Sequence, residues 1–448
     1  MIRNKKYFLL ILVAIISIFM TACGANDNAT GNLEESDGSS EAAENGITEI
    51  RFAWWGDTGR HEVYNAIADL FEEENPDVKV IREPASWGDY WTRVSTQSAG
   101  GNAPAVLGMH PQVVSDYALR GVLADLEPFF ADGTITTAEI PDSIIESGRV
   151  GENIYMISQG VTIQSIGTNR TLLERFGIDV PAGDEDWTWE DFMRLAREFA
   201  EATGSENLYF TSDNTSSWNA FRWMARQFGG DIFTDDGDLG FDEEALIRWF
   251  TMWNELRDIG AVPDSATTTE ELQKPLEQQA FTLGNLALYN FPANLLALYQ
   301  EQTDDQLDLI RLPRAADEVK RADYVEGAFF SISESASVAE QEAGARLIDF
   351  FINTEESVDI FRMEQGVPPN QRLSDHIKTG LEGSELITIS FVDEMMQVAG
   401  AGVYPPLGAQ EVETLFLNVG ERVMHGMLTP EDAATTFMTE ARSILDRN

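Results

Sequence analysis

IRFAWWGDTGRHEVYNAIADLFEEENPDVKV, Ile50 to Val80, changes its periodicity twice. Ile47 to Trp55 is a strongly apolar run with strand composition. Side chains alternate along a strand, so Trp54 and Trp55 face opposite ways and one of them enters the core. Asp57 or Thr58 can cap a helix whose apolar positions Val63, Ile67, Leu70 and Phe71 lie on one face. Asn75-Pro76-Asp77 stops that helix, and Val78 to Ile81 is the next strand. A second helix around Trp91 and Val94 ends at Gly100-Gly101. Strands alternating with helices imply a parallel or mixed sheet covered by helices, an α/β fold.

Further helix starts carry capping chemistry. Thr188-Trp189-Glu190-Asp191 has the pattern of a capping box. Thr429-Pro430-Glu431-Asp432 places a cap, a proline and two acids ahead of a helix with Ala433, Phe437, Ala441 and Ile444 on one face. No repeat of solenoid period is present. About 400 residues follow the N-terminal segments, too many for one ordinary core, so two lobes are expected.

The N-terminus has three parts. Arg3, Lys5 and Lys6 are basic, Tyr7 to Met20 is uninterrupted apolar sequence, and Met20-Thr21-Ala22-Cys23-Gly24 resembles the bacterial lipobox. The apolar run is short for a membrane span and fits an export signal over residues 1–22. Lipidation of Cys23 would anchor the chain, because two acyl chains hold where one does not. Residues 23–46 are rich in Gly, Ser, Asn and acids, the composition of a self-repelling tether.

Cys23 is the single cysteine, which excludes an intramolecular disulfide and a thiolate metal site. The four histidines, His61, His110, His376 and His425, show no metal-ligand spacing, and no metal or cofactor is expected. A net charge of −46, from 30 basic against 76 acidic residues, excludes nucleic acid as a partner. It also disfavours anionic ligands at long range.

Several segments, taken in order, resemble bacterial extracellular solute-binding protein family 1, the carbohydrate-binding components of ABC importers related to maltose-binding protein. Ile50–Val80 is the first. It is followed by AGGNAPAVLGMHPQVVSDYALRGVLADLEPF (Ala99–Phe129) and SIGTNRTLLERFGIDVPAGDEDWTWEDFMRLA (Ser165–Ala196). EGAFFSIS (Glu326–Ser333), ARLIDFFINTEES (Ala345–Ser357), GVPPN (Gly366–Asn370) and the C-terminal helix complete the order. The chain departs from the family pattern at Ala105, at Ile166-Gly167-Thr168-Asn169 and at Ala293 after Asn290-Phe291-Pro292.

The resemblance implies a two-lobed, periplasmic-binding-protein-like fold of type II, hinge-linked, with a ligand cleft between the lobes. By the same analogy one lobe holds 47–158 plus 330–366 and the other 159–329 plus 367–448. It further implies a monomeric, non-enzymatic receptor on the outer face of the cell membrane. The receptor would take a neutral mono- or oligosaccharide, an oligosaccharide by preference, and deliver it to ABC importer transmembrane subunits. A sugar sensor for a membrane kinase uses the same fold and stays open as an alternative. A secreted carbohydrate-active enzyme is a third class, for which no catalytic motif is present.

A sugar offers flat C–H faces to aromatic rings and a rim of hydroxyls to polar groups. Residues in loop-like segments supply both kinds. The resemblance places Trp55, Asp57 and Arg60 at the cleft, by the end of the first strand, where ligands of open α/β sheets gather. Ser86 to Tyr90 reads as a polar–aromatic loop offering Trp87 and Tyr90. Met109, His110 and Gln112 follow a β-like run, and Ser217, Trp218 and Asn219 lie at a helix start, both positions where the resemblance implies ligand contacts. Tyr289, Asn290, Glu326 and Tyr404 complete the expected ligand-binding set.

Overall fold

The computed structural model describes residues 46–447 apart from 184, 205–206, 228–229, 235, 272–273, 316–322 and 401. The export signal, Cys23 and all of the tether except Gly46 lie outside the described residues.

The opening stretch forms the elements expected of it. Strand β1 is Thr48–Trp55, helix α1 is Thr58–Glu74 and strand β2 is Val78–Ala85. Asp57 caps α1, its Oδ1 accepting from the Arg60 N–H at 3.0 Å. Tyr64, Ile67, Ala68 and Phe71 are the buried face of α1; Val63 and Leu70 are half-buried beside it. Trp54 lies under α1, its ring stacked on Tyr64 at 5.4 Å and its Nε1 donating to His61 Nδ1 at 3.2 Å. Trp55 lies on the opposite face of the sheet, as strand alternation requires.

The second helix, α2, spans Trp87–Ala99. It begins earlier than expected, so Trp87 to Tyr90 are its first turn and not a loop. Strand β3 is Val106–Met109, β4 Arg149–Val150 and β5 Asn153–Ile154, the last two pairing only with each other. Strand β6 is Ile157–Thr162, β7 Gln164–Asn169 and β8 Tyr209–Thr211. Strand β9 is Leu286–Pro292, β10 Leu307–Ile310 and β11 Glu326–Ile332.

Two larger sheets result. One has the order β2-β1-β3-β11-β6, with β2, β1 and β3 parallel and β11 antiparallel to both its neighbours. The other has the order β10-β7-β9-β8. Only Ile163 separates β6 in the first sheet from β7 in the second. The chain returns at β11 and passes the same place again at Val367, which exchanges backbone hydrogen bonds with Val161 at 2.7 and 2.8 Å. Three segments therefore cross side by side.

Each sheet carries its own packing. Phe52, Tyr64, Phe330 and Phe351 interlock beside the first. Phe192, Phe210, Trp249 and Trp253 pack beside the second, where the C-terminal helix Pro430–Leu445 contributes Phe437. Thr188 and Asp191 form the expected capping box, and Thr429 caps the C-terminal helix with Pro430 in its first turn. Among the described residues no helix is long and apolar enough to cross a membrane.

Candidate functional site

A cavity of about 420 Å³ opens where the two sheets approach, within the range of small-ligand sites. Trp55, Arg60, Trp87 and His110 line it from the first sheet's side. Trp218, Asn219, Arg222, Tyr404 and Glu413 line it from the second, and Thr162, Gln164, Gly327 and Gln365 form the floor at the crossing segments.

The first wall is aromatic. Trp55 ends β1 and makes edge contacts with Trp87 at 5.1 Å and Tyr90 at 5.4 Å. Trp91 packs against Trp55 at 5.7 Å and against Trp87 at 5.4 Å, bracing both rings. Gly108 makes room for Trp55: a Cβ there would stand 3.0 Å from its ring. His110 lies 5.3 Å from the Trp87 ring, and burial lowers its imidazole to about 4, so it is neutral at pH 7. Trp87 is 44% exposed and offers the open ring edge of the cluster.

The second wall is polar. On the helix Trp218–Gln227, Arg222 and Arg226 converge on Asp231. Arg222 Nε and Nη2 donate to the two Asp231 oxygens at 2.6 and 2.8 Å, and Arg226 Nη1 donates at 2.5 Å. Burial alone would raise the Asp231 carboxyl, but the two guanidinium groups outweigh it and hold the pKa at about 2. The Arg222 guanidinium stacks 4.0 Å from the centre of the Tyr324 ring. At the floor, Gln164 Nε2 donates to Glu326 Oε2 at 2.7 Å, and Arg60 Nε donates to Glu364 Oε1 at 2.9 Å.

Of the residues expected from sequence, the structure brings nine to this cavity: Trp55, Arg60, Trp87, His110 and Gln112 on one side, Trp218, Asn219, Glu326 and Tyr404 on the other. Six lie outside its lining, each for a local reason. Asp57 is committed to capping α1. Tyr90 sits one turn into α2 and points inward, its hydroxyl donating to the Gly108 carbonyl at 2.5 Å. Met109 is fully buried because β3 runs two residues past the apolar run Ala105 to Leu107. Ser217 Oγ accepts from the Ala220 N–H at the start of its helix. Tyr289 and Asn290 are within β9, where Tyr289 packs against Phe281 and Tyr299.

Sequence reasoning missed Arg222, Asp231, Tyr324 and Glu413, all of which line the cavity. One signal was available: Arg222 follows Trp218 by four residues on a helix, so the two share a face. The others depend on where distant segments return.

The profile of a family described as bacterial extracellular solute-binding protein matches residues 66–379. A curated relative, an uncharacterized lipoprotein in the oleD 5′ region of Streptomyces antibioticus, is 26% identical over 124 residues, 28% of this chain. The matched part spans 27% of that relative's length. Among solved structures, an extracellular solute-binding protein family 1 member from Alicyclobacillus acidocaldarius is 24% identical with a TM-score of 0.73, covering 89% of this chain and 98% of its own. A periplasmic oligogalacturonide binding protein from Yersinia enterocolitica is 20% identical with a TM-score of 0.74, covering 89% and 99%. These structural likenesses show a shared two-domain fold.

Proposed function

The chain belongs to the bacterial extracellular solute-binding proteins, and from that premise we propose that it captures a sugar, an oligosaccharide by preference, for an ABC-type importer. The observation that supports the sugar is the cavity itself. Trp55 and Trp87 face Trp218 across it, and amide, carboxylate and guanidinium groups surround them. Rings suit the C–H faces of a sugar and the polar rim suits its hydroxyls. A relative that binds a sugar chain with the same fold is consistent with this reading.

Capture would proceed by closure. The lobes meet at the three crossings near Ile163, Val325 and Val367, and a ligand touching both walls favours the closed arrangement by its extra affinity there. A membrane permease would then take the loaded form. Calorimetry against a glycan panel should find a saturable ligand; a flat response to every glycan would overturn the proposal. With that ligand, Trp87→Ala is expected to weaken binding roughly 10- to 30-fold. The ring is 44% exposed but also packs on Trp55 and Trp91, so the thermal midpoint should fall by only a few degrees while the fold persists.

Lipid on Cys23 would confine the receptor near its permease and raise its effective concentration there. Cys23→Ala should therefore release a sugar-competent protein into the medium and lower uptake. Unchanged membrane retention of that variant would remove the anchor from the proposal.

A further inference from the structure

Both guanidinium groups that line the cavity are bound to an acid, while one lining carboxylate, Glu413, has neither an ion pair nor a hydrogen bond among the described residues. Arg60 and Arg222 are the cavity-lining arginines, and each is already bound to an acid, Glu364 and Asp231 respectively. Glu326 accepts from Gln164 and lies within the field of Arg222. His110 carries no charge at neutral pH. Glu413 is different. It stands on the helix Ala409–Met424, whose stripe of Val412, Phe416 and Val419 is buried in the core beside it and fixes its aim. Among the described residues it has no ion-pair or hydrogen-bond partner, and burial alone raises its pKa.

We infer that Glu413 sets the charge class of the ligand: the cleft takes sugars that are uncharged or carry an amino group, and turns away sugars that carry a carboxylate. The inference rests on the sugar-binding reading above and adds to it. An ionised carboxylate only accepts hydrogen bonds, so hydroxyl or ammonium donors on a ligand satisfy Glu413. A uronate brings a second acceptor of the same charge. The cations that line the cavity, Arg222 and Arg60, are already bound to Asp231 and Glu364, so a uronate would have to compete with those acids for them. Rejection of this kind is selectivity by a built-in repulsion. Two like charges about 6 Å apart in a partly desolvated cleft separate affinities by about 100-fold. The net charge of −46 adds a long-range bias of the same sign.

The test is calorimetry with gluco-, galacto- and manno-oligosaccharides, each in neutral, amino-sugar and uronate forms. For the backbone that binds, the neutral and amino forms should bind about 100-fold tighter than the uronate. Glu413→Gln should narrow that gap at least about tenfold, and Glu413→Asp, which keeps the charge, should preserve most of it. Circular dichroism of both variants confirms that the fold persists. A uronate that binds the native protein as tightly as its neutral counterpart overturns the inference and leaves the receptor reading standing. An undiminished gap in a folded Glu413→Gln does the same. Binding of no glycan in any form removes the receptor reading, and the inference falls with it.

Discussion

Asp231→Ala is expected to destabilise the protein by about 3–5 kcal/mol, measured as a lower urea midpoint at neutral pH. The side chain is 2% exposed and is the shared anion of Arg222 and Arg226, whose side chains are 19% and 10% exposed. Removing it leaves two nearly buried guanidinium groups facing each other without their counter-charge. The loss extends beyond electrostatics. Asp231 also accepts from its neighbour Ile232 N–H at 2.8 Å and from Val403 N–H at 3.1 Å. The second contact holds the segment carrying Tyr404 against the arginine helix, so this wall of the cavity should loosen together with the fold. Unchanged stability in Asp231→Ala would mean that water or local rearrangement solvates both arginines at little cost.

The same residue predicts a pH dependence with a definite sign. Its folded pKa of about 2 lies below the ordinary 3.8. As pH falls, the unfolded chain takes up the proton first. The contribution is therefore complete above about pH 5 and disappears as pH drops from 4 toward 2, amounting to about 2 kcal/mol. The stability difference between native protein and Asp231→Asn should shrink across that window and stay constant from pH 6 to pH 8. Many other carboxylates titrate in the same range, so the comparison with the variant carries the information and the native curve alone does not.

Local chemistry was legible in the sequence where neighbours in the chain decide it. The strand–helix–strand reading of Ile50–Val80, the caps at Asp57, Thr188 and Thr429, and the opposite facing of Trp54 and Trp55 follow from periodicity and short-range hydrogen bonding. The two-lobed arrangement came from the ordered resemblance to a family, because nothing local says that the chain, having left the first sheet at Thr162, returns to it at Glu326. The cavity was legible in part for the same reason. Trp87 and Trp218 stand at helix starts next to turn residues. Tyr90 and Met109 differ from accessible neighbours by a single residue of register, which decides whether a side chain faces the sheet or the opening. Asp231 and Glu413 had no signal of their own, since their roles depend on Arg222 and on an empty volume that only the assembled fold creates.

The crossing segments carry the other large expected effect. Gly327 has φ +134°, and a Cβ there would stand 2.1 Å from the Gly160 carbonyl oxygen. Gly366, at φ +124°, would place its Cβ 2.5 Å from the Val161 oxygen. Side chains cannot fit because the three segments pass backbone against backbone, tied by the reciprocal hydrogen bonds of Val161 and Val367. Gly327→Ala combines a disfavoured backbone conformation, about 1–3 kcal/mol, with overpacking of similar size, for a total of about 3–5 kcal/mol. Gly177→Ala is the matched control. Its φ is +68° with open space around a Cβ, so only the conformational cost, about 1 kcal/mol, remains. Gly327 and Gln365 also line the cavity floor, so strain at the crossing is transmitted to the place where both walls converge. A folded Gly327→Ala should therefore show weaker ligand binding as well as a lower midpoint, while Gly177→Ala should bind normally. Equal losses in the two variants would show that the crossing yields easily, and that the close backbone approach plays no part in holding the cavity's shape.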